Sequence, residues 1–299
     1  MSRPSIIVHG GAGAVEDERR AVCVAGCESA ADAGFAVLAQ GGSALDAVEA
    51  AVRVLEDNPE FNAGYGAVLN RAGEVEVDAC LMDGALRAGA VAAVPWLRHP
   101  ITLARKLLED GEHVLLTGAG ALAFAREHGV SPESPETMIS PRAQLRFERA
   151  RAAHVSMRTP GDTVGACAID ARGQVAAATS TGGTAYKRPG RIGDSPLPGC
   201  GNYADARAGA ASATGHGESI IRIVMCKGVI DRLRAGASPD EAARAAVAEL
   251  IERTGDGDDG GGGVIVVGLD GRIGHHTSTP RMPWAAVEDG RRSSGTERT

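Results

Sequence analysis

Two passages in the C-terminal half of the chain share one pattern, and this pattern constrains the fold more than any other feature. Residues 165–181 place a turn at Ala171-Arg-Gly173 between two short apolar runs, and residues 264–279 do the same around Asp270-Gly-Arg272. Apolar runs on both sides of a glycine turn are typical of β-hairpins. Two such hairpins are too few and too far apart for a solenoid repeat, so they predict antiparallel sheets.

Helical patterns alternate with strand patterns along the rest of the chain. Helices that flank antiparallel sheets give a layered α+β domain, and 299 residues fit one large domain or two small ones. The patterns predict helices over residues 17–39, 44–58, 101–110, 119–128, 218–234 and 239–253, strands over 6–9 and 113–117, a further hairpin over 66–81, and a frayed polar tail from about residue 288.

The composition changes between Val130 and Pro160. Four prolines interrupt a polar, arginine-rich stretch that has little apolar periodicity. Such a stretch is typical of a linker. We therefore predict a linker here, with room for a short helix over residues 142–153.

Charge, apolar runs and cysteine spacing argue against several classes of protein. With a formal net charge of -7, the chain lacks the basic patch that binding to nucleic acid or an anionic membrane usually needs. The chain has no apolar run that reads as a signal peptide or approaches a membrane span, so we expect a cytoplasmic protein. Its cysteines lack the CxxC spacing of zinc sites. The loop His9–Gly13 lacks the nucleotide-binding glycine patterns, so we expect no organic cofactor.

Thr163 lies at the junction between the linker and a buried strand, where a self-cut would be tolerated. If the bond between Asp162 and Thr163 breaks, Thr163 gains an α-amine with an ordinary pKa of about 7.7–8.0, which suits a base at neutral pH. Nucleophile and base would then belong to one residue. An isolated threonine here would be only a β-branched residue that begins a strand.

Thr181 ends the hairpin that Thr163 begins. Antiparallel pairing of the two strands brings Thr181 within reach of Thr163. Serine and threonine are common at strand ends, so this pairing alone is a weak indication of a site. It predicts two hydroxyl groups close together.

Two loops carry candidate binding groups. Arg191 and Asp194 could bind the α-carboxylate and the α-ammonium of a free amino acid, or they could form a surface ion pair in a turn. The glycine turn at residues 214–217 precedes a helix, and its backbone N–H groups could stabilise an oxyanion.

Seven motifs together identify a resemblance that runs along nearly the whole chain. The chain resembles the plant-type L-asparaginases and isoaspartyl peptidases, which are relatives of glycosylasparaginase and of a threonine aspartase. The motifs are His9–Gly13, Asn58–Gly64, Asp78–Gly84, Asp162–Ala166, Thr179–Gly183, Gly190–Pro196 and Thr214–Glu218.

The resemblance implies a single domain over residues 1–299, with the four-layer αββα sandwich of the N-terminal-nucleophile hydrolases. It further implies autoproteolysis into an α subunit, residues 1–162, and a β subunit, residues 163–299. The α subunit would end in the linker over about 130–162, and two such pairs would assemble as (αβ)2.

The resemblance also assigns catalytic roles by position. Thr163 resembles the nucleophile, and Thr181 resembles its hydroxyl partner. Thr214 and the Gly215 N–H correspond to the oxyanion hole. Asn62 resembles the residue that orients the new amine.

The implied substrates are L-asparagine and β-aspartyl dipeptides, whose head group would contact Arg191, Asp194, Thr214, Gly215 and Gly217. Asp162 stands where many relatives carry glycine, and an Asp-Thr junction also occurs in glycosylasparaginases. The His9–Gly13 loop resembles the asparaginase branch instead. Glycosylasparaginase activity, or a non-catalytic ligand-binding protein that stays uncut, are the alternatives.

Family members also hold a structural sodium ion with backbone carbonyls. Carbonyl oxygens suit such a hard cation. The corresponding residues here are Leu55, Glu56, Asn58, Phe61, Ala63 and Tyr65.

Overall fold

The computed structural model describes residues 3–13, 15–154, 163–255 and 261–297. Their strands are β1 (Ser5–His9), β2 (Glu76–Asp83), β3 (Ala88–Pro95), β4 (Leu115–Thr117), β5 (Val164–Ile169), β6 (Val175–Thr181), β7 (Asn202–Asp205), β8 (Gly209–Gly215), β9 (Gly262–Gly268), β10 (Ile273–Thr277), β11 (Trp284–Glu288) and β12 (Arg291–Gly295). Their helices are α1 (Asp17–Ala39), α2 (Ala44–Asp57), α3 (Pro100–Asp110), α4 (Gly118–Glu127), α5 (Pro135–Met138), α6 (Pro141–Ala153), α7 (Gly217–Ile223), α8 (Met225–Arg234) and α9 (Pro239–Thr254), and Gly64–Gly66 form a 3-10 turn.

The strands form two sheets that face each other. The larger has the order β12-β11-β1-β5-β6-β2-β3-β4, and the smaller has the order β10-β9-β8-β7. Helices α1 to α4 contact the larger sheet, and α7 to α9 contact the smaller one. The prediction of an α+β fold is confirmed, and β5–β6 and β9–β10 are the two predicted hairpins.

Alternation along the strands decides which side chains lie between the sheets. On β5, Val164 and Ala166 lie in the core beneath the helices, whereas Cys167 and Ile169 lie in the core between the sheets. Successive side chains of a strand point to opposite faces. The same alternation on β1, β6, β7 and β8 directs a set of polar side chains into the space between the sheets, namely His9, Thr163, Thr179, Thr181, Asn202, Ser212 and Thr214.

The two sheets approach each other closely at this polar end. A Cβ atom on Gly165 would collide with Ser212 Oγ and would lie 2.5 Å from His9 Nε2. Glycine is therefore required at residue 165, since any side chain would force the sheets apart. Small residues between the sheets explain how a chain with only 3% aromatic residues builds a dense core.

Three predicted elements differ from the structure. The helix over 218–234 breaks at Val224, whose φ of 52° is left-handed and separates α7 from α8. The polar tail is not frayed over residues 291–295, because these residues form β12 and pair with β11. In the hairpin over 66–81, the first arm contributes only one bridge, between Leu69 and Val75, and β2 pairs with β3 and β6 instead.

The segment interpreted as a linker contains helices α5 and α6. Helix α6 matches the short helix allowed there, and Ser140 caps it by accepting from Ala143 N–H. Met138 and Phe147 are buried in the core of the larger sheet. Few apolar residues anchor this segment, which explains why its periodicity was too weak to detect. Residues 155–162 of the predicted linker lie outside the described residues.

Helix α1 is long and apolar enough, by length and composition alone, to cross a membrane, contrary to the expectation that no stretch approaches a span. In the structure it packs against α2 and β11. Its apolar character comes largely from small side chains such as Ala30 and Ala31, which are buried in this contact.

Candidate active site

The β5–β6 hairpin brings Thr163 and Thr181 together, as predicted. The register that pairs Val164 with Ser180 puts both threonines at the open end of the hairpin. Thr163 Oγ1 donates to Thr181 Oγ1 over 3.0 Å, and Thr181 Oγ1 accepts from Gly183 N–H over 3.0 Å. Both side chains are buried. Asp162, the other side of the predicted cut, lies outside the described residues.

Ser212, on strand β8 of the opposite sheet, supports this end of the hairpin. Ser212 Oγ lies 3.0 Å from both Thr179 Oγ1 and His9 Nε2. Burial lowers the pKa of His9 to about 3, so its ring is neutral near pH 7. A histidine beside a glycine-rich loop can serve either packing or catalysis. The structure makes it a buried hydrogen-bonding residue next to the candidate nucleophile.

Thr214 and Gly215 end strand β8 of the smaller sheet, which faces the larger sheet that carries Thr163. Thr214 Oγ1 accepts from Ala12 N–H over 3.2 Å, which ties the glycine-rich loop after β1 to β8. Gly215 has a φ of 142°, and a Cβ atom there would lie 2.5 Å from Gly262 Cα. The turn therefore needs glycine, as its sequence suggested.

Gly217 begins helix α7 and borders the Arg191–Asp194 loop. A Cβ atom on Gly217 would lie 2.9 Å from both Arg191 Nη2 and Asp194 Oδ1. The three residues therefore meet at one point, although Gly217 is more than twenty positions away in the sequence. Glycine keeps this point open.

Arg191 presents its planar fork to a carboxylate. Its Nε and Nη2 donate to the two oxygens of Glu218 over 2.9 and 2.8 Å. The guanidinium is largely buried, with 18% of the side chain exposed. Arg191 forms an ion pair with Glu218, and its charge also acts on Asp194.

Asp194 is a buried carboxyl group that could bind a cationic group of a ligand. It is 4% exposed, and its Oδ2 has no hydrogen-bond partner among the described residues. Burial raises the pKa of Asp194 to about 7, and the charge of Arg191 opposes this only in part. An ammonium group of a ligand would supply the missing partner.

Asn62 lies beside the end of strand β6. Its Nδ2 donates to the Gly183 carbonyl over 2.6 Å, and its Oδ1 accepts from Val68 N–H over 2.9 Å. The Gly182 N–H donates to the Asn62 carbonyl over 2.9 Å. Asn62 therefore holds the residues that follow Thr181, and its role toward the new amine stays a prediction.

The carbonyl-rich loop after α2 is folded tightly around two glycines. A Cβ atom on Gly64 would lie 2.5 Å from the Glu56 carbonyl oxygen. One on Gly66 would lie 3.2 Å from the Asn58 oxygen and would collide with the Phe61 oxygen. Several carbonyl oxygens of the predicted sodium loop thus turn toward the same short segment.

Sequence reasoning did not predict that three charged side chains near this site are buried. Glu56 accepts from Ser180 Oγ over 2.6 Å on the helix side of β6, and burial raises its pKa. Asp78 and Lys187 are also buried, close to Arg191. Asp78 begins the Asp78–Gly84 motif, and a charged residue within an apolar strand was the signal that could have indicated its burial. Lys187 had no comparable signal, since its burial depends on residues more than a hundred positions away.

Comparison with known proteins agrees with the resemblance. Residues 2–296 match the family described as asparaginase. The isoaspartyl peptidase/L-asparaginase of Danio rerio is 44% identical over 294 residues, which cover 96% of this chain and 93% of that protein. The proteins of the same name from Xenopus laevis and Homo sapiens are 46% and 45% identical, each over 96% of this chain and over 93% and 94% of their own length. The chain therefore belongs to the asparaginase family.

Proposed function

We propose that this protein hydrolyses the side-chain amide of L-asparagine and of β-aspartyl peptides. The observation that carries the proposal is the 3.0 Å hydrogen bond between Thr163 and Thr181. It lies at a site that also holds the Arg191 fork and the Asp194 carboxyl. Similar proteins named isoaspartyl peptidase/L-asparaginase support the same substrates.

Thr163 acts as the nucleophile once the bond to Asp162 is cut. The freed α-amine takes the proton from Thr163 Oγ1, and Oγ1 attacks the amide carbonyl of the substrate. Thr181 holds the hydroxyl in position. Collapse of the tetrahedral intermediate releases ammonia or a peptide amine and leaves an acyl-enzyme, and water then frees aspartate.

Thr214 and the Gly215 N–H stabilise the oxyanion of the tetrahedral intermediate. A preorganised donor of this kind lowers the barrier by about 3 to 4 kcal/mol in known enzymes. Preorganisation is supported by the contacts that fix the turn, namely the Ala12 hydrogen bond and the close approach to Gly262.

Arg191 and Asp194 bind the head group of the substrate. The fork of Arg191 fits an α-carboxylate, as its two hydrogen bonds to Glu218 illustrate. Asp194 accepts from the α-ammonium, and Gly217 leaves room between them. This recognition favours substrates with a free amino acid end, which asparagine and β-aspartyl peptides have.

The wider architecture belongs to the same proposal. We propose an αββα sandwich of the N-terminal-nucleophile type, cut into residues 1–162 and 163–299, with two such pairs forming an (αβ)2 oligomer in the cytoplasm. Helices α1 to α4 and α7 to α9 on the outer faces of two facing sheets support the sandwich.

A structural sodium ion fits the loop after α2. The Glu56 carbonyl oxygen lies against Gly64, and the carbonyl oxygens of Asn58 and Phe61 lie against Gly66, so side chains at these two glycines would fill the space beside the oxygens. Leu55 and Ala63 already accept one hydrogen bond each, and a carbonyl has a second lone pair. Tyr65 completes the predicted set. The ion would fix the loop that carries Asn62.

The direct test compares the wild-type protein with Thr163→Ala. The wild type is expected to give two bands on a denaturing gel and to hydrolyse L-asparagine and a β-aspartyl dipeptide. Thr163→Ala is expected to give one band and no hydrolysis, because it lacks the attacking oxygen. Thr137→Ala, which alters an exposed threonine, serves as the control and should behave as wild type.

Three results would contradict the proposal. Appreciable hydrolysis by Thr163→Ala would reject the nucleophile. Preference of the wild type for a glycosylated asparagine would favour glycosylasparaginase activity. A wild type that stays in one piece and is inactive would favour a ligand-binding protein.

A further inference from the structure

Lys187 is a buried cation in a chain that otherwise relies on arginine. Of the 31 basic residues, three are lysines, namely Lys106, Lys187 and Lys227. Lys187 is 2% exposed, and its Nζ donates to the Glu76 carbonyl over 3.0 Å. A charge is expensive to bury without compensation. Its place in the structure therefore needs an explanation.

The space around Lys187 accepts a compact charge and not a fork. A Cβ atom on Gly183 would lie 3.0 Å from Lys187 Nζ, 3.1 Å from its Cδ and 3.2 Å from Arg191 Nη1. Gly183 is the residue whose N–H donates to Thr181 and whose carbonyl accepts from Asn62. An ammonium group is a compact point charge, whereas a guanidinium would need room for five donors.

Asp78 supplies the compensating charge. It stands opposite Thr181 in the β2–β6 pairing and is fully buried. Its Oδ1 accepts from Ala93 N–H over 2.7 Å, whereas its Oδ2 has no hydrogen-bond partner in the described ranges. Burial raises the pKa of Asp78, and Lys187 and then Arg191 act to lower it. Burial lowers the pKa of Lys187, and Asp78 opposes this.

Lys187 and Arg191 both lie in the field of the buried Asp78 carboxyl group. Lys187 and Arg191 are near neighbours across Gly183, so they repel each other, and both are attracted to Asp78. Glu218 pairs with the Arg191 fork, and Glu76, which accepts from Gly190 N–H, acts on Lys187 less than Asp78 does. If Lys187 were neutral, Asp78 would draw Arg191 away from the side of the pocket where a ligand binds.

We propose that Lys187 is a positioning residue for substrate binding, which neutralises Asp78 so that Arg191 stays directed toward the substrate carboxylate. This inference rests on the proposed function. It concerns Arg191 and the affinity for the head group, and it leaves the chemistry at Thr163 unchanged.

The test is a double-mutant cycle of Lys187→Met, Asp78→Asn and the combined variant, with kcat and KM for L-asparagine as readouts. Lys187→Met is expected to raise KM by about tenfold or more and to change kcat by less than about threefold. The combined variant should return KM to within about threefold of wild type, because no lone carboxylate remains to attract Arg191.

Lys227→Met is the matched control, since Lys227 is a half-exposed lysine paired with Asp231. It should leave both constants unchanged. If Lys187→Met does not fold, the combined variant and the wild type alone decide the question. An unchanged KM in Lys187→Met, or a KM in the combined variant that stays about tenfold high, would overturn the inference.

Failure of both Lys187→Met and the combined variant to fold would also overturn it, because the pair would then serve the fold and not Arg191. Failure of the proposed function has a different signature. In that case the wild type itself would not hydrolyse L-asparagine. Calorimetry of L-aspartate binding to the same four proteins would then still report whether Lys187 affects the head-group site.

Discussion

At the scale of single residues, the site combines hydroxyl groups that are hydrogen-bonded with charged groups that are only partly compensated. Thr163 is hydrogen-bonded to Thr181 within the larger sheet, and Thr179 is hydrogen-bonded to Ser212 of the smaller sheet. Within the described part of the chain, Asp194 Oδ2 has no hydrogen-bond partner. A buried group that lacks its partner is a natural place for a ligand to bind.

Head-group binding should depend on pH through Asp194. Its pKa is raised from 3.8 to about 7 by burial, so the carboxylate form that accepts from an ammonium is lost as the pH falls through about 7. The inhibition constant of L-aspartate should therefore rise as the pH is lowered from 8 toward 6, roughly tenfold per unit once below the pKa. Inhibition assays over this range measure it.

Asp194→Asn provides the control for this prediction, because an amide does not titrate. It should bind more weakly overall and should lose most of the pH dependence. An inhibition constant that stays flat in the wild type would contradict the assignment of Asp194. The effect is separate from titration of the Thr163 amine, which acts on kcat.

Local sequence patterns predicted that Thr163 lies beside Thr181 and placed Arg191 in one loop with Asp194, because a hairpin or a short loop holds each pair together. They did not identify Lys187, whose hydrogen-bond partner Glu76 is 111 positions away. Contacts between distant segments depend on how the sheets assemble, and local periodicity does not encode this assembly.

At the scale of elements, close contact between α3 and β3 fixes the edge of the larger sheet. A Cβ atom on Gly89 would collide with the Ala104 carbonyl oxygen and lie 2.5 Å from Leu108 N. Gly89→Ala should lower the free energy of unfolding by roughly 1–3 kcal/mol, because a helix backbone cannot move aside cheaply. Denaturant unfolding measures the change.

Gly120 is the matched control, since it lies in helix α4 with no heavy atom within 4 Å of a Cβ there. Gly120→Ala should be neutral or stabilise the protein by up to about 1 kcal/mol. Equal stability of Gly89→Ala and wild type would mean that α3 does not pack on β3 as described.

Elements with strong local signals were predicted well. Helices α2 and α9 were both predicted. In the structure they begin at capping boxes, which Ser43 forms with Asp46 and Ser238 forms with Glu241. The break at Val224 and the strand β12 were missed. A left-handed valine and a strand with exposed charged residues are both set by tertiary contacts, which override local preference.

At the scale of the whole molecule, strands from the two halves of the chain alternate within the larger sheet. β1 from the first half lies between β11 and β5, and β2 from the first half pairs with β6. A cut before Thr163 should therefore leave the two pieces associated in native buffer. Size-exclusion chromatography should give one peak that contains both chains.

Only denaturing conditions should separate the pieces, because each half lacks strands that the other supplies. Unfolding, monitored by circular dichroism, should accordingly occur in one transition. Elution of residues 163–299 as a free species in native buffer would contradict the interleaved sheet.

The most direct test of the account is the mass of the C-terminal chain of the purified, active protein. We predict that this chain begins with Thr163, because in the proposed mechanism the α-amine of Thr163 is the base of the reaction. A mass that places the first residue elsewhere, or hydrolysis of L-asparagine by a protein that remains a single uncut chain, would contradict it.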